Sequence, residues 1–276
     1  MKLPGGCDTH SHIFGSYDRF PLVGASAYAP PLAPFETHAA MLGDHGLERG
    51  VLIQPAPYRF DHSALLDALE RGAGRLRGIG VIDENATDEE LDRLRAAGVA
   101  GFRFVETRNP NGEGRYPGTT GFDAARLLHE RLRLRGFHLQ LWAALEDCAA
   151  IAEEAAAMGM PLVLDHLAGI GPDDDPDGPA FARLLTALSR GHVWIKLTYH
   201  RQSRNPRRYD DMRRAVTALA EANASRLIWG SDWPFVRMEG REPDVAALLE
   251  QLGDWLGEAR YRKIMADNPA ELFGFQ

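Results

Sequence analysis

Short apolar runs alternate along this chain with longer stretches whose apolar residues recur at helical spacing. The first run surrounds Asp8-Thr9-His10-Ser11-His12, flanked by Cys7 and by Ile13-Phe14, and reads as a short buried strand. A loop rich in proline, glycine and tyrosine follows over residues 15–34, then a helix over Phe35–His45. Strand-type runs are predicted at Arg49–Ala56, Leu76–Asp83, Val99–Glu106, Phe137–Ala143, Pro161–Ala168, His192–Tyr199 and Arg226–Pro234. Helices are predicted at Asp61–Gly72 with Asp61 or Ser63 as cap, after Thr87 with an acidic first turn, and at Phe122–Arg135. Further helices are predicted at Glu146–Met158, Pro179–Arg190, Tyr209–Ala222, Pro243–Leu256 and Glu258–Ala266.

Eight strand-then-helix units predict a single-domain α/β protein, a (β/α)8 barrel spanning residues 1–276. The links carry the same signal. Helix-to-strand links are short, as at Ala97-Gly98, Arg135-Gly136 and Arg190-Gly191. Strand-to-helix links are long: Thr107–Gly121, Ile170–Gly178 and His200–Arg208. Barrel enzymes elaborate that one end, where their active sites sit. An open doubly wound sheet fits less well, because no strand is followed by a Gly-x-Gly-x-x-Gly turn.

Composition narrows the function more than the fold. A net charge of -8 argues against a nucleic-acid binder, which would need a basic face. Only Lys2, Lys196 and Lys263 are lysines; the other cations are arginines. Two cysteines, Cys7 and Cys148, supply no disulfide framework and fit a reducing compartment. No signal-type segment opens the chain and no stretch is long and apolar enough to span a bilayer, so a cytoplasmic location is expected with no membrane partner. The oligomeric state has no signature in the sequence.

The chemistry gathers at strand C-terminal ends. Side chains two apart on a strand share a face, so His10 and His12 should point together, with Asp8 behind them. By itself a His-x-His pair is as readily two packed histidines as a site. Strand four carries Arg103, then Glu106 and Arg108; strand six ends in Asp165-His166, of which alternation allows one to face inward; strand eight ends in Gly230-Ser231-Asp232-Trp233-Pro234. Histidines from strands one and six would meet Asp232 only inside a closed barrel.

These motifs, in this order and on these strands, resemble the amidohydrolase superfamily, and within it the branch of 2-pyrone-4,6-dicarboxylate lactonase and galactarolactone isomerase. Ile13-Phe14-Gly15, Asp18-Arg19-Phe20-Pro21, Gln54-Pro55 and Lys196-Leu197-Thr198 extend the likeness over essentially the whole chain. The resemblance implies a hydrolase that opens the lactone ring of an anionic dicarboxylate or sugar-acid lactone. It implies Asp232 as general base, with His10, His12 and His166 polarising the carbonyl. Arg103, Arg108 and Arg201 match the places where the lactonase holds carboxylates, and planar guanidinium forks suit that task. Trp142 and Tyr58 stand where that lactonase carries other residues, so both are expected to line a differently shaped pocket.

Metal-binding members hold their ion on the same histidines and aspartate. Here strand five offers no histidine at the right end and strand four has arginine instead of a bridging lysine. No cofactor is therefore expected to be required; a single zinc on His10, His12, His166 and Asp232 is the alternative. Lactone isomerisation, or a metal-dependent decarboxylation of the same superfamily, is the alternative reaction. Lys196 reads as a structural residue near the barrel base, the run Asp173–Asp175 as a solvated loop, and His200 and Glu106 as reserve acid–base candidates.

Overall fold

The computed structural model describes residues 3–23, 26–205 and 207–276. Met1, Lys2, Gly24, Ala25 and Pro206, the last three in the expected loops, lie outside the described residues. Eight parallel strands form one sheet in chain order: β1 (Cys7–Ser11), β2 (Arg49–Ile53), β3 (Leu76–Gly80), β4 (Val99–Val105), β5 (His138–Trp142), β6 (Leu162–Leu164), β7 (Val193–Lys196) and β8 (Leu227–Ile228). The helices between them are α1 (Phe35–Asp44), α2 (Ser63–Arg71), α3 (Asp88–Ala96), α4 (Phe122–Leu134), α5 (Leu145–Ala157), α6 (Pro179–Ser189) and α7 (Arg213–Asn223). After β8 come α8 (Val245–Leu256), α9 (Glu258–Arg262) and α10 (Asn268–Phe273). The expected (β/α)8 barrel is the observed architecture.

Local signals act where they were read. The Thr87 hydroxyl accepts from Glu90 N–H and caps α3, whose acidic first turn faces the positive end of the helix dipole. Several strands end earlier than their apolar runs, β6 and β8 by the most. Strand β6 stops at Leu164, because His166, Leu167 and Ala168 take left-handed backbone. Strand β8 is only Leu227–Ile228, and the rest of its run is the loop that carries Asp232.

The sheet closes where β1 meets β8 and its loop. Thr9 N–H donates to Trp229 O at 2.9 Å, Asp232 N–H to His10 O at 2.7 Å and His12 N–H to Trp233 O at 2.8 Å. Buried Asp8 reinforces the seam. One of its oxygens accepts from the backbone N–H groups of His10 (3.0 Å) and Ser231 (2.9 Å), the other from the Ser231 hydroxyl (2.5 Å). Asp8 thus serves the closure and does not back the imidazoles. A register shift between Asp8 and Ser11 turns His10 and His12 inward, while Ser11 bonds His38 of α1 outside.

The barrel interior is divided along its axis. Its lower half is apolar, with Val51, Ile53, Ile79, Val163 and Ile228 packed together and Phe273 and Phe275 set against them. Leucines and phenylalanines from strands and helices form the larger core between the two shells. The upper half of the interior is ionic.

Gly230 brings the seam close enough to form: a Cβ there would stand 2.4 Å from His10 Cβ and 2.9 Å from His10 N. We expect Gly230→Ala to destabilise the protein by about 1–3 kcal/mol, the usual cost of overpacking, and to displace His10. Urea unfolding with the midpoint unchanged from wild type would refute this.

Candidate active site at the C-terminal end of the barrel

Asp232 follows β8 with φ +57°, a left-handed backbone that turns its carboxylate inward. Its Oδ1 lies 3.2 Å from His12 Nε2 and 3.4 Å from His10 Nε2. Its Oδ2 accepts a short hydrogen bond from Arg201 Nε. Arg201 also donates through Nη1 to Val236 O at 2.7 Å, tying down the loop beyond Asp232, while its Nη2 has no partner among the described residues.

A second carboxylate lies beside the first. Asp165 Oδ2 accepts from Arg103 Nε (2.8 Å) and Gln140 Nε2 (3.1 Å), and Oδ1 lies 3.0 Å from Lys196 Nζ. His166 joins the same group: its Nδ1 is 2.9 Å from Thr198 Oγ1 and its Nε2 3.4 Å from an Arg103 nitrogen. Strand alternation predicts that only one of Asp165 and His166 faces inward, and the structure overturns this. The strand has already ended, and the φ of +49° at His166 swings its ring to the same side as Asp165.

Above these groups opens a cleft of about 420 Å³, lined on its floor by His12, His166, Asp232, Arg103, Arg201 and Trp142. The guanidinium carbon of Arg103 sits 5.1 Å from the Trp142 ring centre, which holds both against one wall. Three expected site residues are placed elsewhere. His10 is wholly buried beneath the floor and does not line the cleft. Arg108 is exposed on the loop after β4, in a bridge with Arg115, and does not reach the cleft. Tyr58 is buried behind the wall, packs near Phe14 and accepts from Gly15 N–H at 2.8 Å. Glu106, a reserve base, instead accepts from Phe122 N–H at the start of α4.

Other residues complete the cleft without having been singled out as site residues. Tyr28, Tyr116, Arg237 and Arg241 line it from long loops, where no periodicity marks inward positions. Lys196, read as lying near the barrel base, ends the four-residue β7 with its ammonium in the ionic layer. His200 lines the cleft, buried, with neither ring nitrogen bonded among the described residues.

Burial would raise the pKa of both carboxyls, yet cations overcome it. Lys196 and Arg103 hold Asp165 well below the usual carboxylate range, and Arg201 does most to hold Asp232 there. Burial lowers the imidazoles, His166 to about 4 and His200 to about 3, so both are neutral at pH 7. An ionised carboxylate thus faces the cleft among neutral rings and guanidinium forks.

The donor set can be tested against a metal ion. His10, His12 and Asp232 place one ligand-type atom each within 4.8 Å of one another, as do His10, Asp165 and His166. His12 fits well: its Nδ1 meets Ile53 O at 2.9 Å, which turns the Nε2 lone pair inward. The others fit poorly. His166 Nε2 faces a guanidinium, His10 Nδ1 faces the Lys196 ammonium at 3.1 Å, and three donors compensate Asp165. That leaves His12 Nε2 and Asp232 Oδ1, fewer than the three protein ligands of a typical catalytic zinc site.

The chain is similar to several known proteins. A 4-sulfomuconolactone hydrolase of Hydrogenophaga intermedia is 32% identical over 278 residues, 98% of this chain and 89% of that protein. The crystal structure of a Pseudomonas putida protein provisionally named 2-pyrone-4,6-dicarboxylic acid hydrolase superposes with a TM-score of 0.82 at 29% identity, covering 100% of this chain and 99% of that one. An amidohydrolase of Burkholderia multivorans solved with bound zinc shares the fold at a TM-score of 0.66 and 20% identity, over 98% and 99% of the two chains. The amidohydrolase family model matches residues 7–275, and the chain belongs to that family.

Proposed function

We propose that this protein is a lactonase that hydrolyses an anionic lactone, with Asp232 as general base and no required metal. One observation carries the reading: an ionised carboxylate on the cleft floor, flanked by His12 and Arg201, with guanidinium groups of Arg103 and Arg201 facing the same space. The named relatives point the same way, since 4-sulfomuconolactone hydrolase acts on a lactone.

The steps follow from the chemistry of these groups. A water molecule attacks the ester carbonyl as Asp232 takes its proton. The carbonyl oxygen gains negative charge, and Arg201 Nη2, which has no partner among the described residues, is the donor at hand to stabilise it. The ring C–O bond then breaks, and the leaving oxygen receives the proton held by Asp232. The product acid ionises at neutral pH, so one proton is released per turnover. Arg103, and at the rim Arg237 and Arg241, hold the substrate's anionic groups. Arg108 has no part in this reading. Cys7 and Cys148 stay buried thiols, in keeping with a reducing cytoplasm.

Asp232→Asn keeps the shape and removes the base. We expect kcat to fall by roughly 10²- to 10⁴-fold, the span of a lost general base, with the circular dichroism spectrum retained. A near-normal kcat would move the base elsewhere, with His200 next to test.

Arg103→Met should lower kcat/KM at least ~10-fold, since a lost charge-assisted hydrogen bond costs about 1.5–3 kcal/mol. Arg108→Gln should leave kinetics unchanged. Proton release on a panel of acid lactones reads both variants, and equal losses in the two would refute the placement of the anion.

Activity should also survive dialysis against a strong chelator, measured with elemental analysis of the same sample. Loss of activity that zinc alone restores would show a required metal. Carbon dioxide evolution without ring opening would identify a decarboxylase instead.

A further inference from the structure

Lys196 takes no part in the steps above, yet it is wholly buried at the end of β7 beside the base's own neighbour. Its ammonium lies 3.1 Å from His10 Nδ1 and 3.0 Å from Asp165 Oδ1. An ammonium has three N–H donors and no lone pair, so the imidazole nitrogen that faces it is the acceptor. The competing arrangement would put a proton on Nδ1 and aim it at Asp165 Oδ1, 3.3 Å away. That contact is longer than the 3.1 Å one to Lys196, and the same ammonium already meets Asp165 Oδ1 at 3.0 Å. The position of the ring proton follows from these partners: it resides on Nε2. That nitrogen lies 3.4 Å from Asp232 Oδ1, without an aligned hydrogen bond among the described residues.

We propose that Lys196 is a positioning residue that locks His10 in its Nε2–H form, turned toward Asp232. Two consequences follow from one proton. The N–H keeps positive potential on the side of Asp232 away from Arg201, so the carboxylate is held from beneath as well as from the side. The same proton occupies the lone pair that His10 would need to bind a metal through Nε2. The inference rests on the metal-independent reading of this cleft and gives it a cause.

Selective ¹⁵N labelling of histidine, with long-range proton–nitrogen correlation of the metal-stripped protein at neutral pH, tests the lock without turnover. The His10 signals, identified by their loss in His10→Gln, should show a protonated Nε2 and an unprotonated Nδ1. In Lys196→Met the ammonium is gone and Asp165 becomes the only polar partner left for Nδ1. The proton should then move to Nδ1, and zinc titrated calorimetrically should bind at least ~10-fold more tightly than to wild type, a typical scale for changing a ligand's outer partner. A wild-type His10 protonated on Nδ1 would overturn the proposal, and so would equal zinc affinity in the two proteins. Should Lys196→Met fail to fold, the wild-type spectrum decides alone. A protein that shows the locked ring but opens no lactone would refute the lactonase reading and leave the lock standing; the reverse result would refute the lock alone.

Discussion

The structure depends on burying two carboxylates a few ångströms apart and keeping both charged. Neither could remain ionised alone, since a charge moved from water into a protein interior costs several kcal/mol. Asp165 is compensated by Lys196, Arg103 and Gln140, and Asp232 by Arg201 and the histidines around it. Such an arrangement contributes little net stability compared with an apolar core, but removal of one member would leave a partner uncompensated at a cost of about 3–5 kcal/mol. The interior therefore has an apolar lower half, which supports the fold, and an ionic upper half, which the fold tolerates because each charge in it is compensated.

That division explains the attention given to the seam between β1 and β8. Asp232 stands on one side of it and both imidazoles of the His-x-His pair stand on the other. Three backbone hydrogen bonds, the Asp8–Ser231 contacts and the absence of a side chain at Gly230 all act across it. Misplacement by an ångström would separate Asp232 from its neighbours, and losses of that size are costly in catalysis. Burial pushes the Asp8 carboxyl up to about 6, and the bonds from Ser231 and His10 act against the rise. Asp8 is thus an aspartate of the motif whose work is structural.

Much of this was legible in the chain. Eight apolar runs with short links at one end and long links at the other define the barrel, because strand burial and helix amphipathicity are local properties that periodicity records. Residues at strand ends were found for the same reason. What escaped depends on geometry that periodicity does not carry. The inward turn of both Asp165 and His166 comes from a left-handed backbone after a strand cut short. Lys196 was assigned too low because the run His192–Tyr199 looks twice as long as the strand Val193–Lys196 that forms. Arg108 and Tyr58 were placed by resemblance of position, and the loops that carry them turn them away from the cleft. Tyr28 and Tyr116 reach it from loops where no sequence rule marks the inward side.

The two floor arginines show how a site already crowded with charge can still recruit an anion. Arg103 spends Nε on Asp165, and Arg201 spends Nε on Asp232 and Nη1 on Val236 O. Each guanidinium is planar and five-pronged, so one edge can hold a buried carboxylate while another faces the cleft. The carboxylates neutralise part of the arginine charge, which keeps the empty cleft from being strongly cationic. They also fix the forks in place, so little side-chain entropy remains to be lost when a substrate arrives. Arg201, which does most to hold Asp232 ionised, is thus also a residue that lines the cleft. In the proposed lactonase, Arg201 would link substrate recognition to the charge state of Asp232 through a single side chain.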